Sequence, residues 1–235
     1  MQHSALAHTP REHGMIEAHA PVTAIRKAYD LFSLVYGPLG GPLERKPRMA
    51  GLDQAGLASD DKVLEVAVGP GLTLVEILKR VHRSNVVFGV DLSPRMLAVS
   101  RRRVQAAGYS NVDLREADAR HLPFPDNSFD VVFNSYMLDL IPLADMPGIL
   151  QEFRRVLRAN GRLVLVNLSK PDERHRTLGE RFYQLLPKTW VPYVAGGCRP
   201  VLMAEAVVSA GFVDVHRQFV RNIIPSEVVA ARKPE

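Results

Sequence analysis

Residues 63–71 read Val63-Leu64-Glu65-Val66-Ala67-Val68-Gly69-Pro70-Gly71. A short apolar run holding a single acid passes directly into a glycine-containing loop. Residues 72–81 then place apolar side chains at helical spacing, so the stretch reads strand–loop–helix. Glycines at such a corner let backbone approach a ligand closely, and the first turn of the helix offers unpaired N–H groups. Glu65 adds a chemical requirement. A carboxylate inside an apolar strand needs a partner, and a ligand ammonium would serve.

The same rhythm continues along the chain. Strands are expected at 62–66, 86–90, 112–115, 129–134 and 162–167, and helices at 72–81, 94–107 and 144–157. Ser93 reads as an N-cap with Pro94 at the first helical position, and Asn160-Gly161 as the turn into the fifth strand. Alternating strands and helices of this length imply right-handed βαβ units and a doubly wound, mostly parallel α/β sheet. After a helix at 202–210, strands at 212–220 and 222–232 are joined tightly. The C-terminal strand is therefore antiparallel, and the sheet has seven strands. Residues 22–36 form an amphipathic helix carrying Ile25, Tyr29, Phe32 and Tyr36. Gly37-Pro38-Leu39-Gly40-Gly41-Pro42 is expected to break it before a second helix at 43–57. Residues 1–20 read as a flexible tail and 21–235 as one domain. Within that domain, 21–57 are cap helices and 170–200 an insertion covering the substrate, with a short helix around 174–186.

Composition narrows the function. The 235 residues include 30 Lys and Arg against 25 Asp and Glu, a mild excess of +5. Hydrophobic residues at 46% and charged residues at 23% are ordinary for a globular domain and exclude a mainly disordered or fibrous chain. One cysteine, Cys198, excludes an internal disulfide framework and multi-cysteine metal sites. The four histidines of the tail (His3, His8, His13, His19) have no fixed ligand spacing, and no metal is expected. No apolar run reaches membrane-spanning length, and the first 20 residues lack the pattern of a secretory signal. A cytoplasmic enzyme is the expectation.

In open parallel sheets, ligands bind beyond the carboxyl ends of the strands. Two acids stand there besides Glu65. Asp91 ends the second strand, where a carboxylate can accept both hydroxyls of a ribose. Asp118-Ala119 follows the third, where a side chain can accept from an adenine amino group. Leu74 stands where the dinucleotide fingerprint needs its third glycine. A nicotinamide-dependent oxidoreductase is disfavoured for that reason.

These residues form a recognisable set. The glycine loop, Gly89-Val90-Asp91-Leu92-Ser93-Pro94, Ala117-Asp118-Ala119 and Leu122-Pro123-Phe124-Pro125-Asp126 together resemble class I S-adenosylmethionine-dependent methyltransferases. Ser169-Lys170-Pro171 and Ala210-Gly211-Phe212 resemble the quinone-biosynthesis (UbiE- and MenG-like) group. The opening Ala28-Tyr29-Asp30 is similar to bacterial phosphatidylethanolamine N-methyltransferases. The resemblance implies S-adenosylmethionine as cofactor, held by Tyr36, Glu65, Gly69, Pro70, Gly71, Asp91, Leu92, Asp118, Ala119 and Asn134. Two departures stand out. Ala67 replaces the first glycine of the loop, and Tyr136-Met137-Leu138-Asp139 replaces the sequence usual in the quinone group. Gly196-Gly197-Cys198-Arg199-Pro200 has no assignment.

Asp139, just past the fourth strand, is the candidate base, with Tyr29 as a second catalytic candidate from the N-terminal helix. His121, Lys170, His175, Tyr183 and Arg199 are weaker candidates, and Met137 and Trp190 fit an apolar wall. The expected acceptor is a small or lipophilic molecule. It is a quinol, a soluble amine, thiol or hydroxyl compound, or a phosphatidylethanolamine headgroup. Peripheral contact with the inner membrane face and a homodimer are compatible with this reading. Nucleic acid is not, because no flipped-base motif or separate basic domain is present. The rival from another class is a non-catalytic cofactor-binding protein.

Overall fold

The computed structural model describes residues 14–18, 20–172, 177–187, 190–194 and 197–235. The strands are β1 (Val63–Val66), β2 (Val87–Asp91), β3 (Val112–Glu116), β4 (Phe129–Ser135), β5 (Leu157–Leu168), β6 (Val213–Val220) and β7 (Ser226–Arg232). The helices are α1 (Val22–Ala55), α2 (Leu72–Leu78), α3 (Pro94–Ala106), α4 (Met146–Val156), α5 (Leu178–Leu185), α6 (Val191–Val194) and α7 (Ala204–Ser209). The sheet order is β3-β2-β1-β4-β5-β7-β6. β1 to β5 are mutually parallel, and β7 runs antiparallel to both β5 and β6.

Both faces of the sheet are covered, which is why β1 is buried at every position. On one face α4 presents Met146, Ile149, Leu150, Phe153 and Val156 at helical period, joined by Met203 and Val207 near α7. On the other, Leu52 of α1, Leu74 and Ile77 of α2, and Leu97 and Val104 of α3 pack against Val63, Val131 and Val164. The expected cap of α3 is present, with the Met96 N–H donating to Ser93 Oγ at 3.1 Å.

Three expectations are corrected. Residues 37–42 do not break the first helix; α1 is continuous from Val22 to Ala55. Tertiary packing overrides local propensity here. A Cβ on Gly41 would lie 2.9 Å from Leu72, and one on Gly51 would lie 2.6 Å from Val166, so these glycines admit close approach. Pro47 cannot donate to the Leu43 carbonyl, but Asn222 Nδ2 does so at 2.5 Å and satisfies it. Asn160-Gly161 is not a turn before β5 but an irregularity within it: pairing jumps from Phe129–Leu157 to Val131–Arg162, with Asn160 at φ 61°. Finally, residues 14–18 and Ala20 of the expected tail are packed. Ile16 and Ala20 are buried in a small cluster with Ile25, Leu140, Tyr183 and Val191.

Candidate active site

The strand order reverses between β1 and β4, so a crevice opens beyond their carboxyl ends. An open cleft lies there. Leaving β1, Ala67, Gly69 and Gly71 take φ values of 60°, 51° and 76°. Gly71 is forced by packing, since a Cβ would sit 2.5 Å from Ser100 Oγ at the α2–α3 contact. Gly69 differs: a Cβ there would meet nothing within 4 Å, and the residue lines the cavity. Its freedom from side chain keeps backbone exposed to a ligand.

Asp91 is held by this loop. The Gly69 N–H donates to its Oδ2 and the Ser93 N–H to its Oδ1, each at 2.8 Å. Burial pushes the carboxyl up to about 6 against these two amides, with the Asp30 carboxylate adding to the rise. Ser93 Oγ in turn donates to Asp30. Asp91, Leu92, Asp118 and Ala119 all line the cavity, as do Gly69 and Pro70. Asp118 is clamped by Arg120, with Nη2 to Oδ2 at 2.6 Å and Nε to Oδ1 at 3.1 Å. That guanidinium holds the carboxyl below the usual carboxylate range.

Glu65 stands 1% exposed behind the cavity wall, and its Oε2 has no hydrogen-bond partner. Burial raises its carboxyl well above the ordinary value; Arg48 opposes this and Asp91 reinforces it. Asn134 is also buried. Its Nδ2 donates to the Val66 carbonyl at 2.8 Å, tying the ends of β4 and β1, while its Oδ1 is unpartnered. Neither residue, nor Gly71, reaches the cavity surface.

The candidate base stands just past β4, as expected, but behind the cavity wall. Asp139 is fully buried in a 3₁₀ turn, Leu138–Leu140, and is absent from the cavity wall that Met137 and Leu140 form. Its Oδ2 accepts from the Leu168 N–H at 3.0 Å, and burial lifts it to about 7. The side chains of Tyr29 and Tyr36, and all of His175, lie outside the described residues. Lys170, Tyr183 and Arg199 are buried structural groups, His121 is exposed, and Trp190 is 62% exposed instead of lining a wall.

Three polar cavity residues, Glu44, Arg48 and Tyr136, escaped the sequence reading. Arg48 Nη1 meets Glu44 Oε2 at 2.8 Å, both buried on α1, and Arg48 Nη2 donates to the Gly41 carbonyl at 2.7 Å. Their i,i+4 spacing was visible, but the expected helix break at 37–42 detached them from the site. Tyr136 also lines the cavity, at φ 53°, an uncommon conformation for an aromatic residue. Its hydroxyl pairs with Ser226 Oγ at 2.9 Å. Burial pushes the phenol's pKa further up, so it stays neutral.

The residues present fit S-adenosylmethionine. Glu65 keeps an orphaned buried carboxylate oxygen just behind the wall, and Asp91 has lone pairs left after two amide bonds. Open space faces Gly69. The fold and this site define a class I methyltransferase. Residues 63–161 match the family model described as a methyltransferase domain. A demethylmenaquinone methyltransferase of Thermotoga maritima is 31% identical over 172 residues, covering 73% of this chain and 69% of that protein. A phosphatidylethanolamine N-methyltransferase of Cereibacter sphaeroides is 40% identical over 111 residues, 47% of this chain and 52% of that one. Among solved structures, the [4+2]-cyclase SpnF superposes with a TM-score of 0.73 at 18% identity, covering 92% of this chain and 98% of that one. That likeness concerns the fold alone. The chain belongs to the S-adenosylmethionine-dependent methyltransferase family. It spans about half to two thirds of the length of the curated relatives it matches.

Proposed function

We propose that the chain transfers a methyl group from S-adenosylmethionine to a lipophilic acceptor of the quinol class. The observation that carries this reading is the two-sided cavity. Its lining combines the charged Asp91, Asp118, Arg48 and Glu44 with the apolar Ile25, Met137, Leu140 and Ile141, so it is two-sided in chemistry, polar and apolar. The demethylmenaquinone methyltransferase relatives support the same acceptor.

When bound, the cofactor supplies a methyl group already activated by its sulfonium charge. The chain's own residues are left to align the acceptor and exclude water. In this reading Asp91 accepts from the ribose hydroxyls, the 69–71 backbone follows the ligand, and Leu92, Asp118 and Ala119 flank the adenine. Glu65 stands one layer behind the wall at the ammonium end, and Asn134 keeps the β1 end in place. Asp139 is a positioning residue that ties the β4 turn to β5.

A phosphatidylethanolamine headgroup is the second reading. Glu44 on the cavity wall suits a cationic amine, and the Cereibacter relative supports it. Incubating the protein with methyl-labelled cofactor and a cell extract tests both. Label in the organic phase that chromatographs with quinols is the expected result. Label in phospholipid favours the second reading. Water-soluble label overturns both, and cofactor binding without any label transfer returns the protein to a non-catalytic role.

A further inference from the structure

The cover over the cavity has two apolar faces. Its inner face, Tyr183 of α5 and Val191 of α6, packs on Ile25 and Leu140, which themselves line the cavity. Its outer face holds Phe182, Leu185, Trp190 and Tyr193, which are 56%, 83%, 62% and 54% exposed. Large apolar side chains clustered this way mark an interaction surface, whereas single exposed ones need no explanation. A further exposed residue stands at the same end of the sheet. Ile223, 79% exposed, sits in the β6–β7 loop, and β7 begins opposite the end of β5 where the cover starts, with Leu168 paired to Ser226.

Basic residues accompany them. Arg181 on α5, Arg221 beside Ile223, and Arg45 and Lys46 of α1 are all exposed. Lys46 donates to the Arg221 carbonyl at 3.4 Å, which joins α1 to that loop. Asp172 is the exposed carboxylate among the described residues of the cover; the other described acid there, Glu180, is buried against Lys170 at 2.7 Å. Trp and Tyr beside Phe and Leu, ringed by Arg and Lys, is the composition that seats in the interface of an anionic bilayer. A second protein copy would have to cover apolar side chains from three separate segments while bringing like basic charges together.

We propose that the α5–α6 cover and the 221–225 loop dock this protein on an anionic lipid surface, with Tyr183 and Val191 and then Ile25 and Leu140 standing between the docked face and the cavity. The idea complements a lipophilic acceptor, but docking and acceptor chemistry are measured separately. The test is co-sedimentation of the full chain with phosphatidylglycerol–phosphatidylcholine vesicles and with pure phosphatidylcholine vesicles. Binding to the anionic vesicles is expected, weakened by salt and by pure phosphatidylcholine. Phe182→Ser combined with Leu185→Ser and Trp190→Ser should lower vesicle affinity roughly tenfold or more. These residues face away from the cavity, so cofactor affinity and melting temperature of this variant should match the parent. Should it fail to fold, Arg181→Glu with Arg221→Glu makes the same test through charge. Equal partition of parent and variants overturns the proposal, as does a parent that stays in the supernatant. A dimer abolished by the triple substitution, without vesicle binding, overturns it in favour of self-association. Failure of docking leaves the labelled-methyl experiment unaffected, and failure of methyl transfer leaves the vesicle result unaffected.

Discussion

Asp91 concentrates the chemistry of the cofactor end in one side chain. Two backbone amides hold its carboxylate, yet burial leaves it at about 6. In the proposed role a ribose hydroxyl donates to the ionised form, so cofactor affinity should fall about tenfold per pH unit below that value. Calorimetric titration from pH 8 to pH 5 checks this, and Asp91→Asn should bind more weakly with a flat profile. Asp139, lifted to about 7, has a different consequence. An acid raised in the folded state retains a proton that the unfolded chain releases. Its favourable contribution is complete below the ordinary carboxylate range and is lost as pH rises through about 7. Asp139→Asn should therefore gain stability relative to the parent between pH 5 and pH 8 in denaturant titrations, with turnover little changed. A loss of turnover of about a hundredfold would identify it as a base. Ala67 is the third residue with a distinct expectation. It holds a left-handed conformation that its Cβ disfavours, and Ala67→Gly should stabilise the fold by about 1 kcal/mol. The sequence revealed Ala67 as a departure from a glycine, but only φ reveals the strain.

At the scale of elements, the cover is stapled by buried cations. Arg199 donates from Nε to the Ile16 carbonyl at 2.5 Å, from Nη1 to that of Asp139 at 2.9 Å and from Nη2 to that of Ile141 at 2.7 Å. Lys170 reaches both Gly14 at 2.6 Å and Glu180, whose carboxylate also closes the capping box with Thr177. The unassigned sequence around Arg199 thus gains a structural meaning: it binds the 14–18 segment to the cavity rim. Replacing Arg199 by Ala removes the side-chain donor of the Ile16 and Ile141 carbonyls, while the Asp139 carbonyl keeps the backbone N–H of residue 199, and should cost about 3 kcal/mol, read as a lowered denaturation midpoint. Limited proteolysis should then open 14–18 and the cover before the sheet. α1 makes the complementary point. Its local sequence argues for two helices, but close packing at Gly41 and Gly51 and the Asn222 bond to Leu43 join them into one. The Glu44–Arg48 pair reaches the cavity for that reason.

For the molecule as a whole, the ligand should act as a folding partner. At a hundred times its dissociation constant, S-adenosylmethionine should stabilise the native state by about 2.7 kcal/mol, and thermal shift against cofactor concentration measures it. An unresponsive melting temperature would remove the cofactor assignment. The alternation of short buried strands with amphipathic helices, the glycine loop, and acids at successive strand ends were all legible in the chain, because each depends on local period, turn chemistry or a few adjacent residues. That information determined the doubly wound sheet and put Glu65, Asp91 and Asp118 on or after its first three strands, where the structure has Asp91 and Asp118 on one cavity wall and Glu65 behind it. Tertiary structure decided the rest. It buried Asp139 behind the wall, turned Trp190 outward, continued α1 across its glycines and prolines, and brought Arg199 to carbonyls up to 183 residues away. Such outcomes depend on packing and hydrogen bonds between segments distant in sequence, and no local pattern of residues encodes which buried groups will meet.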